Sequence, residues 1–163
     1  MSRHDRTPGL TPYLVQFSAH EQAVIQEARQ ILLRHLNQNP VLSSWQAVLD
    51  YCAISIRGEV EHFHVLYLDR KNRLISDECL AIGTVDHVPV YPREVLKRSL
   101  ALGAMALILV HNHPAGDPEP SAADLAMTRD IEKGCKVLGI TLHDHIITGA
   151  GREVSLRQRG DLE

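Results

Sequence analysis

Residues 104–124 read AMALILVHNHPAGDPEPSAAD, and their order of residue types decides how the chain must fold. The run Ala104–Val110 is continuously apolar, with the length of a buried central strand rather than of a membrane span. His111 and His113 stand where that strand ends. In an extended backbone, residues i and i+2 point the same way, so both imidazoles can reach one point. Pro114, Gly116, Pro118 and Pro120 then stiffen and turn the chain. Ser121 and Asp124 open the next helical pattern, which runs through Leu125, Ile131 and Leu138 to a stop at Gly139.

Two imidazole nitrogens and one carboxylate make an open zinc site, with a fourth position left for water. Each residue also has a plainer use. Ser121 is a good helix N-cap, and S-A-A-D resembles a capping sequence. Asp124 could serve only the helix dipole. The His-x-His pattern itself occurs three times. His62-x-His64 lies in a strand pattern with no turn-rich loop or acid after it, so an exposed or edge face is expected there. His143-Asp144-His145 sits within or at the end of another strand pattern. Asp144 and His145 are therefore expected to be structural or to support the site from behind. His4, His20, His35 and His87 have no such context and read as surface residues.

The rest of the chain builds outward from this strand. Ser18 and Glu21 form an S-x-x-E capping box. Behind it, Val24, Ile25, Ala28, Ile31, Leu32 and Leu36 recur at helical spacing, predicting a helix over about 19–37. Ser43 or Ser44 can cap a second, short helix through Val48, Leu49 and Cys52. Residues 59–68, EVEHFHVLYL, are rich in strand formers. DRKNR supplies a turn, and LISDECLAIG is the returning strand of a hairpin. Pro92 suits the first turn of a helix that Gly103 would cap. ITLHDHIITG is a further strand, GAGRE a turn, and EVSL a last short strand. Strands and helices alternating without a strict repeat predict an α/β fold, a mixed sheet with helices on its faces. Residues 1–17 read as a flexible arm and 18–57 as an N-terminal helical segment. The metal-binding domain is expected over 58–163.

Composition excludes several classes. The chain has 163 residues, 44% hydrophobic and 23% charged, as an ordinary globular domain does. A net charge of −3 gives no global basic field for nucleic acid, though Arg93, Lys97 and Arg98 form a local candidate patch. Cys52, Cys79 and Cys135 are odd in number and far apart, with no CxxC pair, so reduced thiols and a cytoplasmic location are expected. No signal peptide or membrane span is expected. Zinc deaminases need H-x-E and P-C-x-x-C, and neither is present. The letters HNH do not match the HNH nucleases, whose name describes dispersed residues.

HNHPAGDPEPSAAD resembles the JAMM (MPN-plus) metalloprotease signature, H-x-H-P followed by S-x-x-D. The segments YLDRKNRLI, GTVDHVPVYPREV, ALILVHNHPAGDPEPS and LGITLHDHIITG resemble the RadC-like branch of that superfamily, in its order, from about Glu61 to the C-terminus. The resemblance implies a three-layer α-β-α sandwich of JAB/MPN type, similar in layout to the deaminase-like fold, plus the N-terminal helices. It implies that His111, His113 and Asp124 hold Zn(2+), that Glu61 is the general base, and that Ser121 supports an oxyanion. The activity implied is hydrolysis of a peptide or isopeptide substrate. The alternative is a non-catalytic zinc-binding adaptor that binds DNA or DNA-repair proteins. A third reading is a structural site closed by a fourth ligand such as His145. Two departures are visible: position 115 is alanine where RadC-like proteins often have serine, and no helix-hairpin-helix glycine motif precedes Glu61. Apolar positions on the first helix could pair two copies into an oligomer.

Overall fold

In the computed structural model, the described residues are 18–36, 42, 44–56, 60–83 and 90–163. The expected arm at 1–17, the stretch 37–40, Ser43, Glu59, His4 and His87 lie outside them. Helix α1 is Ala19–Leu36, opened by the expected box: Glu21 accepts from the Ser18 amide and hydroxyl at 2.7 and 2.8 Å. Helix α2 is Trp45–Ser55, and its N-cap is Ser44, whose hydroxyl accepts from the Ala47 amide. The hairpin follows as β1, Glu61–Leu68, and β2, Leu74–Gly83. Helix α3 is Pro92–Leu102, with Pro92 in its first turn and Gly103 at φ 64° as its left-handed cap. Strand β3 is Ala106–Asn112, buried at every residue. Helix α4 is Ala122–Leu138, and β4 is Thr141–Gly149. Strand β5 is Arg152–Ser155, as long as the expected EVSL but one residue earlier, because Leu156 instead opens a single-turn helix, α5, Leu156–Arg159.

The five strands form one mixed sheet in the order β2-β1-β3-β4-β5. Among the described strands only β3 and β4 run parallel, and α4 supplies the crossover that such a pair needs. Alternation along the strands sorts the core into two layers. Phe63, Val65, Tyr67, Leu107, Leu109 and Ile147 pack with Val95 of α3, Ile131 and Cys135 of α4, and Leu156. Leu66, Leu68, Ile108, Val110 and Ile146 pack with Val48, Tyr51 and Cys52 of α2 and with Ile56 just after it. Helices thus cover both faces, which is the expected three-layer α/β sandwich. His111 continues the series Leu107, Leu109 and so faces the α4 layer.

One expectation needs correction. His62 and His64 are on neither an edge nor an open face: β1 lies between β2 and β3, and both rings are half-buried. His64 Nδ1 lies 2.7 Å from Asp77 Oδ1, and Asp77 Oδ2 accepts from the Tyr51 hydroxyl at 2.6 Å, tying α2 to the hairpin. In the patch Arg93, Lys97 and Arg98, three cations face two carboxylates. Arg98 grips Glu78 at 2.6 Å, while Arg93 and Lys97 both reach Glu94.

Candidate metal centre

The ladder between β1 and β3 ends at Phe63 opposite His111. Beyond that pair, main-chain pairing gives way to one side chain. Asn112 Oδ1 accepts from the His62 amide at 2.8 Å, and its Nδ2 donates to the Val60 carbonyl at 2.9 Å. These contacts bracket Glu61, the first residue of β1, which is only 8% exposed. The middle letter of H-N-H therefore fixes the backbone on both sides of a carboxylate, while its neighbours face the other way.

The His113 amide donates to the Thr148 carbonyl at 2.7 Å, which keeps the chain extended past the end of β3. His111 and His113 accordingly turn the same way, with their Nε2 atoms 2.8 Å apart. Ligand atoms of Glu61, His111 and His113 all lie within 4.8 Å of one another. Asp124 closes on the same point: Oδ1 is 3.5 Å from His111 Nε2, and Oδ2 is 3.7 Å from His113 Nε2.

The loop between the histidines and α4 is held from beneath. Gly116, at φ 89°, needs the left-handed backbone that glycine tolerates. Gly149 lets the loop pass close, since a Cβ there would meet the Gly116 carbonyl oxygen at 2.8 Å. The loop returns a carbonyl to the site, where His113 Nδ1 donates to Asp117 O at 2.7 Å. Ser121 and Asp124 form a full capping box. Oδ2 of Asp124 accepts from the Ser121 amide and hydroxyl at 2.7 and 2.6 Å, and Ser121 Oγ accepts from the Asp124 amide at 3.1 Å. The capping and site positions are thus compatible: the box occupies Oδ2 and leaves Oδ1 turned toward His111.

The electrostatics select a positive charge. Burial drives His111 down to about 4, with the Asp124 charge opposing. His113 is raised, chiefly by the Asp124 carboxylate beside it, with burial opposing. Burial alone would raise Asp124, but the facing imidazoles of His113 and His111 and the Ser121 hydrogen bonds hold it well below the usual carboxylate range. An anionic carboxylate facing two imidazole nitrogens, with a second carboxylate nearby, is a donor set that fits zinc.

His145 and Asp144 part company at a β-bulge. Leu107 pairs with Leu142 but Ile108 pairs with Asp144, so His143 is the extra residue. His145 is fully buried behind His111, with Nε2 2.7 Å from His111 Nδ1. Its other nitrogen lies 2.6 Å from Thr128 Oγ1. Both nitrogens are engaged away from the common point, so His145 is not arranged as a fourth ligand. Asp144 accepts from the Ser155 hydroxyl and from the Arg157 amide at 3.1 Å, securing the start of α5. Sequence reasoning missed Asn112, Thr128 and Gly149. A small polar residue between two candidate ligands, and a threonine one turn beyond a candidate carboxylate, were the available signals.

The model of the RadC-like JAB domain matches residues 42–161. A UPF0758 protein of Rhodobacter capsulatus is 58% identical over 144 residues, covering 87% of this chain and 67% of the relative. A UPF0758 protein of Ruegeria pomeroyi is 57% identical over 136 residues, covering 83% of this chain and 61% of the relative. The chain thus spans roughly two thirds of the length of these relatives. The matched region takes in α2, all five strands and every residue of the centre, and on that breadth the chain belongs to the RadC-like JAB domain family.

Proposed function

We propose that the protein is a zinc-dependent hydrolase of peptide or isopeptide bonds. The observation that carries this reading is the convergence of His111, His113 and Asp124 on one point, with the Glu61 carboxylate beside them. His111, His113 and Asp124 would hold the ion. An ion bound there supplies Lewis acidity, lowering the pKa of water toward ~7 and polarising a carbonyl. Glu61 takes the proton from the attacking water on its carboxylate and passes it to the departing amine, so the proton count balances. Its near-burial and its bracing by Asn112 hold it in place for that transfer. Ser121 then turns its hydroxyl from Asp124 to the substrate oxygen as negative charge develops there.

The substrate approaches from the open side of the centre, where the His113 and Asp124 side chains are 17% and 15% exposed. The free thiols Cys52, Cys79 and Cys135 fit a reducing, cytoplasmic setting. No described helix is long and apolar enough to cross a membrane. A role in DNA repair would follow from the substrate acted on.

The test is hydrolysis of a peptide and isopeptide panel by zinc-loaded protein, with Glu61→Gln as comparison and as a trap for bound substrates. The proposal expects cleavage by the wild type, and at least about a hundredfold loss in Glu61→Gln with zinc retained. A Glu61→Gln protein that keeps full cellular function would instead favour the adaptor that binds DNA or repair proteins.

A further inference from the structure

The contact between His111 and His113 can be made in two ways, and the tautomer of His111 decides which. His113 spends its Nδ1 proton on the Asp117 carbonyl, so a neutral His113 presents a lone pair at Nε2. If His111 carried its proton on Nε2, the 2.8 Å contact would be an ordinary N–H···N bond, and that nitrogen would be closed to a metal. If it carried the proton on Nδ1, two lone pairs would face each other, and a shared cation would be required between them.

A chain of buried hydrogen bonds settles the choice. Thr128 Oγ1 lies 2.6 Å from the Asp124 carbonyl oxygen and 2.6 Å from His145 Nδ1. A hydroxyl has one proton, and a carbonyl can only accept it, so Thr128 donates to Asp124 and accepts from His145. His145 therefore carries its proton on Nδ1. Its ring is fully buried and its two hydrogen-bond partners are neutral groups, so a second proton there would be an uncompensated charge. His145 Nε2 is left as an acceptor, and His111 Nδ1, 2.7 Å away, must donate to it. His111 Nε2 then faces His113 and Asp124 unprotonated.

We propose that Thr128 and His145 are positioning residues that fix His111 in the tautomer able to bind a metal through Nε2. The inference rests on the reading of His111 as a ligand. Helix α4 thereby contributes twice: Asp124 faces the centre, and one turn later Thr128 sets the proton on the ring opposite. Removing the Thr128 hydroxyl inverts the chain. With no acceptor at Nδ1, the His145 proton moves to Nε2 and is donated to His111 Nδ1. The His111 proton then sits on Nε2, bonded to His113, and competes with the metal.

The experiment is nitrogen-15 NMR of the histidine rings in metal-free protein, paired with cobalt(II) titration, for wild type, Thr128→Ser and Thr128→Val. The expected result is the Nδ1–H tautomer of His111 in the wild type and in Thr128→Ser. In Thr128→Val the Nε2–H form should appear and cobalt affinity should fall by about 10–100-fold. The wild-type spectrum alone overturns the proposal if His111 shows the Nε2–H form, so the test does not depend on the valine variant folding. A folded Thr128→Val protein with the wild-type tautomer and cobalt affinity within about twofold also overturns it. The assigned tautomer with no cobalt bound would support the hydrogen-bond chain while removing the reading of His111 as a ligand.

Discussion

Replacing Asn112 by leucine, which has the same branched heavy-atom skeleton, asks how firmly the backbone around Glu61 is held. The substitution removes the 2.8 Å acceptance from the His62 amide and the 2.9 Å donation to the Val60 carbonyl. Asn112 is only 7% exposed, so water does not readily replace it. A buried backbone group left without its partner costs about 1–3 kcal/mol. Val60 is 44% exposed, and its carbonyl can turn to solvent, so most of the cost falls on the His62 amide. The expected destabilisation is about 2 kcal/mol, read as a lower urea midpoint at unchanged slope. Hydrogen exchange at the His62 amide should speed up in parallel. A loss below about 0.5 kcal/mol, the range of ordinary surface substitutions, would refute the idea that Asn112 braces Glu61.

Other outcomes follow from the same geometry. Gly149→Ala should push the 114–118 loop outward, because its Cβ would meet the Gly116 carbonyl at 2.8 Å. Calorimetry should show weaker metal binding, since Asp117 would no longer hold His113. Native protein should react with a thiol reagent at Cys79 alone, since burial pushes Cys52 up to about 12 and Cys135 to about 11; mass spectrometry of the labelled peptides checks this. The Arg98 hydrogen bonds hold the Glu78 carboxyl below its ordinary 4.5. A depressed folded pKa gives stability that is present above the unfolded value and is lost as pH falls through the folded one. The stability gap between wild type and Glu78→Gln should therefore be full at neutral pH, under about 1 kcal/mol, and close in acid. A gap that widens in acid denaturation series would contradict that assignment.

Much of the centre was legible because its parts are local. The apolar run, the two histidines, the proline-stiffened loop and the Ser121–Asp124 pair follow one another, and extended and helical periodicities say which way each points. Glu61 was not legible in this way. A glutamate at a strand start reads as a solvated charge, and only the family resemblance singled it out. His145 depended on something more hidden still. The bulge at His143 shifts the register of β4 against β3, and no residue pattern announces it. That shift sends His145 toward His111 and leaves Asp144 to secure α5. Asn112 and Thr128 were missed because their roles lie in hydrogen bonds between elements distant in sequence, whose alignment the residues themselves do not state.

The central claim is that these side chains form one metal centre, and metal stoichiometry tests it most directly. Protein purified under zinc-replete conditions should hold one zinc ion per chain. Glu61→Gln should keep the ion, and the double variant His113→Ala, Asp124→Ala should lose it while remaining folded. Wild-type protein without zinc, or a double variant that retains one ion per chain, would contradict the account.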